Sequence, residues 1–158
     1  MRSFIAAASG MALETARLVA QSHACSSRLP QEERRAWAKL SLLANRRMLD
    51  GTEESRHRVA HQDFMWRMRV IDELGPDDTD PDWSPQALAA DTLAALTLTP
   101  ERAAALAPGW RDFPVEDILR LRRHKNLTAH LERLVGHLAP GPLREQLVTW
   151  TGTRRLLP

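Results

Sequence analysis

Three observations predict an all-α fold. Apolar residues recur at helical spacing through most of the chain. Glycine is scarce at 7, tyrosine is absent, and the apolar content is mostly Ala and Leu, a mixture that favours helix over strand. Caps and breakers fall at helix-length intervals, and no stretch alternates apolar and polar residues over a strand's length. With 158 residues, 43% hydrophobic and 27% charged, the chain reads as one helical domain over residues 1–158. The expected architecture is an up-and-down bundle of four main helices plus short ones.

The first helix is expected over about residues 3–26, with Ile5, Leu13, Leu18 and Val19 among its apolar positions. A first-turn Pro30 opens the second, Glu32 and Glu33 suit its positive end, and Leu40, Leu42, Leu43 and Leu49 follow. Gly51 stops it and Thr52 caps a third helix running to Leu74, where Gly75 and Pro76 end it. GPDDTDPDW (75–83) is an acidic loop. Its spacing and missing bidentate Glu do not follow an EF-hand, so it reads as a solvated connector. Ser84-Pro85 and Thr99-Pro100 each pair a cap with a first-turn proline, opening helices to about Leu96 and Leu106. The brief LTLTP ending at Pro100 is therefore cap rather than strand. Pro114 starts a long helix to about Leu138, with Ile118, Leu121, Leu127, Leu131, Leu134 and Leu138 facing inward. A short C-terminal helix and tail occupy 142–158.

The net charge of +2 is too small to demand a polyanionic partner, and 20 of the 22 basic residues are arginine. Such a bias arises from a GC-rich genome as readily as from phosphate binding. The single cysteine, Cys25, follows His23 at a spacing that puts the two on different helix faces, and reads as a small apolar residue in a reducing compartment. The opening MRSFIAAASGMALETA is a poor signal peptide, because Ser9, Gly10, Glu14 and Arg17 interrupt its apolar run. No run approaches the ~18 apolar residues that span a membrane. A cytoplasmic protein without membrane contact is expected.

ESRHRVAHQDFMWRMRVIDEL (54–74) carries His57 and His61 one helical turn apart. Steps of four and three continue the line to Phe64, Met68 and Ile71, so both imidazoles are expected on the apolar side. A His-x3-His pair on a helix can give two nitrogens to one zinc or nickel ion. A third ligand would come from His124, His130 or His137, of which His130 and His137 share a face. The competing expectation is a pair of hydrogen-bonded histidines at a bundle rim.

WAKLSLLANRRMLD (37–50) resembles the first bundle helix of the DinB/YfiT-like family, where an Ala-Asn-Arg-Arg-Leu-Leu-type segment is common. SRHRVAHQDFMWRMRV (55–70) resembles that family's second helix. The resemblance covers residues 37–70. It implies a four-helix bundle with a divalent metal, one histidine on the second helix and a His-x3-His pair on the last. It also implies a transferase or isomerase acting on a small, thiol-linked substrate. His61 matches the second-helix ligand. Asn126-x3-His130 stands where the last pair should be, so His57, His61 and His130 form the candidate metal set, with Asp63 or Glu54 as base or supporting partner.

Two constellations compete. Arg56-His57-x3-His61 and Arg123-His124-x5-His130 are similar to the Arg-x4-His form of HEPN-type ribonucleases, all-α enzymes that cleave RNA without metal at a dimer cleft. RLRRHKN (120–126) is a basic run in which Arg120 and Arg123 fall on one face and Arg122 and Lys125 on another. Beside Trp110 such cations can bind phosphate and stack bases. The same cations can instead form a solvated face paired with Glu116, Asp117 and Glu132. The function classes are thus a metal-dependent bundle acting on a small molecule, a nucleic-acid-binding or ribonuclease module, homodimeric if HEPN-like, and an interaction subunit with structural histidines.

Overall fold

A computed structural model of the chain describes residues 10–152. Those residues are all-α, with no strand among them. The expected helix start at residue 3, Ile5 and the apolar run that opens the chain lie outside the described residues. Two compact units are present, one ending at Ser84 and the other beginning at Pro85.

The first unit contains α1 (Gly10–Ala24), α2 (Gln31–Arg47) and α3 (Glu53–Leu74). Helix α1 packs along α2 and buries Leu13, Ala16, Ala20 and Ala24, spaced by three and four. Ala16 clusters with Ala44, and Ala24 with Ala38, so small side chains face small side chains. Leu18 and Val19, counted among the apolar positions of this helix, point outward, Leu18 being 52% exposed. The alanine line permits the closer helix approach, and Leu18 falls on the opposite face. On α2, Leu43 is likewise exposed while Leu42 is buried, and Leu49, expected on this helix, lies past its end and is exposed too.

The expected punctuation of α3 is present. The Thr52 hydroxyl accepts the Ser55 N–H at 3.1 Å, and Gly51 and Gly75 take φ of +85° and +83°. Asn45 of α2 donates to the Val59 carbonyl at 3.2 Å and to Asp63, while Arg46 holds the other Asp63 oxygen at 2.8 Å. Trp66 donates its indole N–H to the Ala38 carbonyl at 3.2 Å. Helices α2 and α3 are thus joined by polar as well as apolar contacts.

The acidic loop is pinned at two of its four aspartates and exposed at Asp78 and Thr79. Asp80 pairs with Lys39 at 2.5 Å, and Asp82 with Arg46 at 3.0 Å. Arg67, 1% exposed, donates to the carbonyls of Pro81 (2.6 Å) and Asp82 (2.9 Å). Trp83 is fully buried among Leu42, Trp66 and Val70. Other arginines satisfy helix-end carbonyls that have no intrahelical partner. Arg34 donates to Ala24 at 2.7 Å, and Arg35 to Leu74 and Gly75 at 2.8 and 3.0 Å.

The second unit contains α4 (Pro85–Ala94), α5 (Pro100–Leu106), a 3-10 turn (Ala107–Asp112), α6 (Val115–Leu134), a second 3-10 turn (Val135–His137) and α7 (Pro142–Gly152). Helix α6 is its centre and packs against α4 and α7. Thr99 caps α5, accepting the Arg102 N–H at 3.3 Å. The inward line of α6 is Leu121, Leu127, Leu131 and Leu134, as expected, with Leu138 buried beyond it and Ile118 half-buried. The helix stops at Leu134, not at Leu138. The chain tightens into the 3-10 turn at Val135-Gly136-His137 before Pro140.

Candidate functional site

The two histidines of α3 stand one above the other, ring centroids 6.4 Å apart and planes inclined by 22°. They do not both face inward as expected. His57 is half-buried and His61 exposed. The reason lies in which side of α3 meets α2 in its first turns. That side carries Ser55 and Val59, and a residue two positions further on points about 200° away. Burial along the line His57, His61, Phe64, Met68, Ile71 begins only at Phe64.

His57 and His61 belong to the first unit and His130 to the second. Among the described residues, no group of three or more His, Cys, Asp or Glu is arranged to hold a metal ion. The α3 pair therefore fits zinc or nickel only as a two-nitrogen half-site, short of the three or four ligands such sites use. Asp63, a candidate base, is occupied by Asn45 and Arg46.

In α6, the two histidines of the Arg-His pattern are both interior: His124 is 1% exposed and His130 8%. The His124 ring stacks on Trp150 at 6.2 Å, and neither ring nitrogen has a hydrogen-bond partner of regular geometry. Loss of hydration lowers its pKa below the ordinary histidine value, opposed in part by the nearby Leu98 backbone. A desolvated imidazole of this kind is a poor proton carrier for a solvent-borne phosphodiester. His137 sits in the 3-10 turn and is exposed, so the face it was expected to share with His130 is lost where the helix ends.

The basic run divides as its helical spacing requires. Arg120 pairs with Asp117 at 3.6 Å, and Arg123 is half-buried. Arg122 and Lys125 instead line a cleft of about 360 Å³ with Trp110, Ile118, Leu121 and Asn126. Trp110 reaches it from the 3-10 turn, packed on the cluster of Ala103, Ala107 and Leu121. Within the turn, Gly109 lies close to Phe113: a Cβ there would be 3.3 Å from the ring. The Arg111 guanidinium lies over the indole, 5.6 Å from its centroid. The cleft thus combines an indole, an apolar wall of Ile118 and Leu121, two cations and one amide.

Asn126 was visible in the sequence only as the residue standing where a histidine was expected. Its spacing of four from Arg122 is the feature that places both on one line of the helix. A larger cavity of about 650 Å³ in the first unit borders Leu13, Glu14, Met48 and Arg58. Its Glu14 is already held bidentately by Arg17, at 2.5 and 2.8 Å. Compared with protein-family models, curated proteins and solved structures, the chain matches none.

Proposed function

We propose that the protein binds single-stranded nucleic acid through its second unit. The observation that carries this reading is the cleft in which Arg122 and Lys125 converge with Trp110. Cations take the phosphates and an aromatic ring takes a base, the combination by which single strands are held without a duplex groove. The distribution of charge supports it. Residues 85–158 hold ten Lys or Arg against seven Asp or Glu, while residues 1–84 hold twelve against thirteen, so the net positive charge arises wholly in the second unit. Six arginines of the first unit, Arg17, Arg34, Arg35, Arg46, Arg67 and Arg69, are engaged with carboxylates or carbonyls.

Binding, not cleavage, is the activity proposed for the second unit, because the Arg-His imidazoles of α6 are buried. Fluorescence anisotropy with a labelled single-stranded 12-mer tests it. The wild type is expected to bind, and Arg122→Ala and Lys125→Ala each to weaken binding without changing the melting temperature. Binding unaffected by either substitution would refute the assignment.

The parallel His57–His61 rings favour a second reading, a DinB/YfiT-like protein with a zinc or nickel ion at that pair. A rise in melting temperature on adding zinc or nickel, lost in His61→Ala, would support it. The same rise in both proteins, or none in either, would remove it.

A further inference from the structure

We infer that Arg111 is a third cation of the strand-binding surface, taking the phosphate next to the one held in the cleft. The inference rests on the nucleic-acid-binding reading above and adds a residue to it. Arg122 and Lys125 line the cleft with Trp110, whereas Arg111 is not among its lining residues. Its guanidinium nevertheless lies over the same indole, 5.6 Å from the ring centroid. Positive charge thus meets one aromatic ring from two places, inside the cleft and outside it.

The ring is a fixed platform. Trp110 packs on Ala103, Ala107 and Leu121, and its carbonyl accepts the Phe113 N–H at 3.4 Å. Arg111 is exposed and, among the described residues, forms no ion pair, whereas Arg120 pairs with Asp117. Attraction to the ring face uses the charge of the guanidinium and leaves its N–H donors for oxygen acceptors. Every internal nucleotide of a strand has a phosphate on each side of its base. A base stacked on Trp110, with one phosphate against Arg122 and Lys125, carries the neighbouring phosphate past the indole, where Arg111 is the cation present. The ligand that suits this arrangement is a strand with at least two consecutive phosphates. A mononucleotide has one phosphate and leaves Arg111 unused.

A role confined to fixing the indole makes a different prediction, because it does not depend on displaced counterions. The experiment measures the salt dependence of anisotropy for a labelled single-stranded thymidine 12-mer with wild type, Arg111→Ala and Arg111→Lys. One phosphate contact contributes a slope of about −0.7 in log affinity against log salt, or about fivefold in affinity between about 0.1 and about 1 M salt. Arg111→Ala is expected to bind about fivefold more weakly at about 0.1 M salt, with a slope shallower by about 0.7 and an unchanged melting temperature. Arg111→Lys should keep the wild-type slope, since lysine brings the same charge to the phosphate. The inhibition constant of thymidine monophosphate as competitor should be the same for wild type and Arg111→Ala. An unchanged slope in Arg111→Ala, with or without loss of affinity, overturns the inference while leaving strand binding intact. A weaker inhibition constant for the mononucleotide in that variant does the same. Absence of wild-type binding to the strand overturns both readings.

Discussion

Arg67 and His124 are buried side chains with opposite consequences. The Arg67 guanidinium satisfies two loop carbonyls in a place that is 1% exposed, so truncation leaves both acceptors unpaired and opens space beneath the loop. Arg67→Ala should cost about 3 kcal/mol in urea unfolding. Arg69→Ala, whose guanidinium pairs with Glu73 at the surface, should cost under about 1 kcal/mol. His124 is destabilising when charged. Its folded pKa lies below the ordinary value of 6.5, so between the two values the unfolded chain binds the extra proton. Its contribution is present above 6.5 and is lost as pH falls through the folded pKa. The wild type should therefore lose more melting temperature between pH 7 and pH 5 than His124→Phe. Equal losses would show that His124 does not contribute to the acid sensitivity.

Among the elements, what the sequence disclosed was local and what it concealed was relational. Thr52, Thr99, Gly51 and Gly75 mark ends correctly because a cap or a positive φ depends on the few residues around it. The facing of α1 was hidden because Leu18 and Val19 are apolar as well as the line of Leu13 and the alanines, and only the alanines of α2 select between them. The direction of His61 was hidden for the same reason, since the side of α3 that meets α2 sets it. Asn126 gave no periodic pattern of its own, and Trp110 reaches the cleft from a 3-10 turn that helical spacing does not describe. Two substitutions test the α1 assignment. Ala20→Leu should destabilise by about 1–3 kcal/mol through overpacking, whereas Leu18→Ala should change stability by under about 1 kcal/mol. The reverse order in thermal unfolding would contradict the packing of α1 on α2.

At the scale of the whole molecule, the balance of +2 conceals an uneven distribution. Arginines of the first unit hold helix ends and an acidic loop in place, while the second unit carries the surplus charge beside an indole. On the proposed reading an arginine-rich composition is put to two physical uses, and only the second bears on a polyanion. The most direct measurement is the salt dependence of binding to a labelled single strand, wild type against the Arg122→Ala, Lys125→Ala double variant. Each phosphate contact on a single strand contributes a slope of about −0.7 in log affinity against log salt. The account predicts that the double variant binds more weakly and that its slope is shallower by about 1.4, with an unchanged melting temperature. An unchanged slope and affinity in the double variant would contradict the central claim.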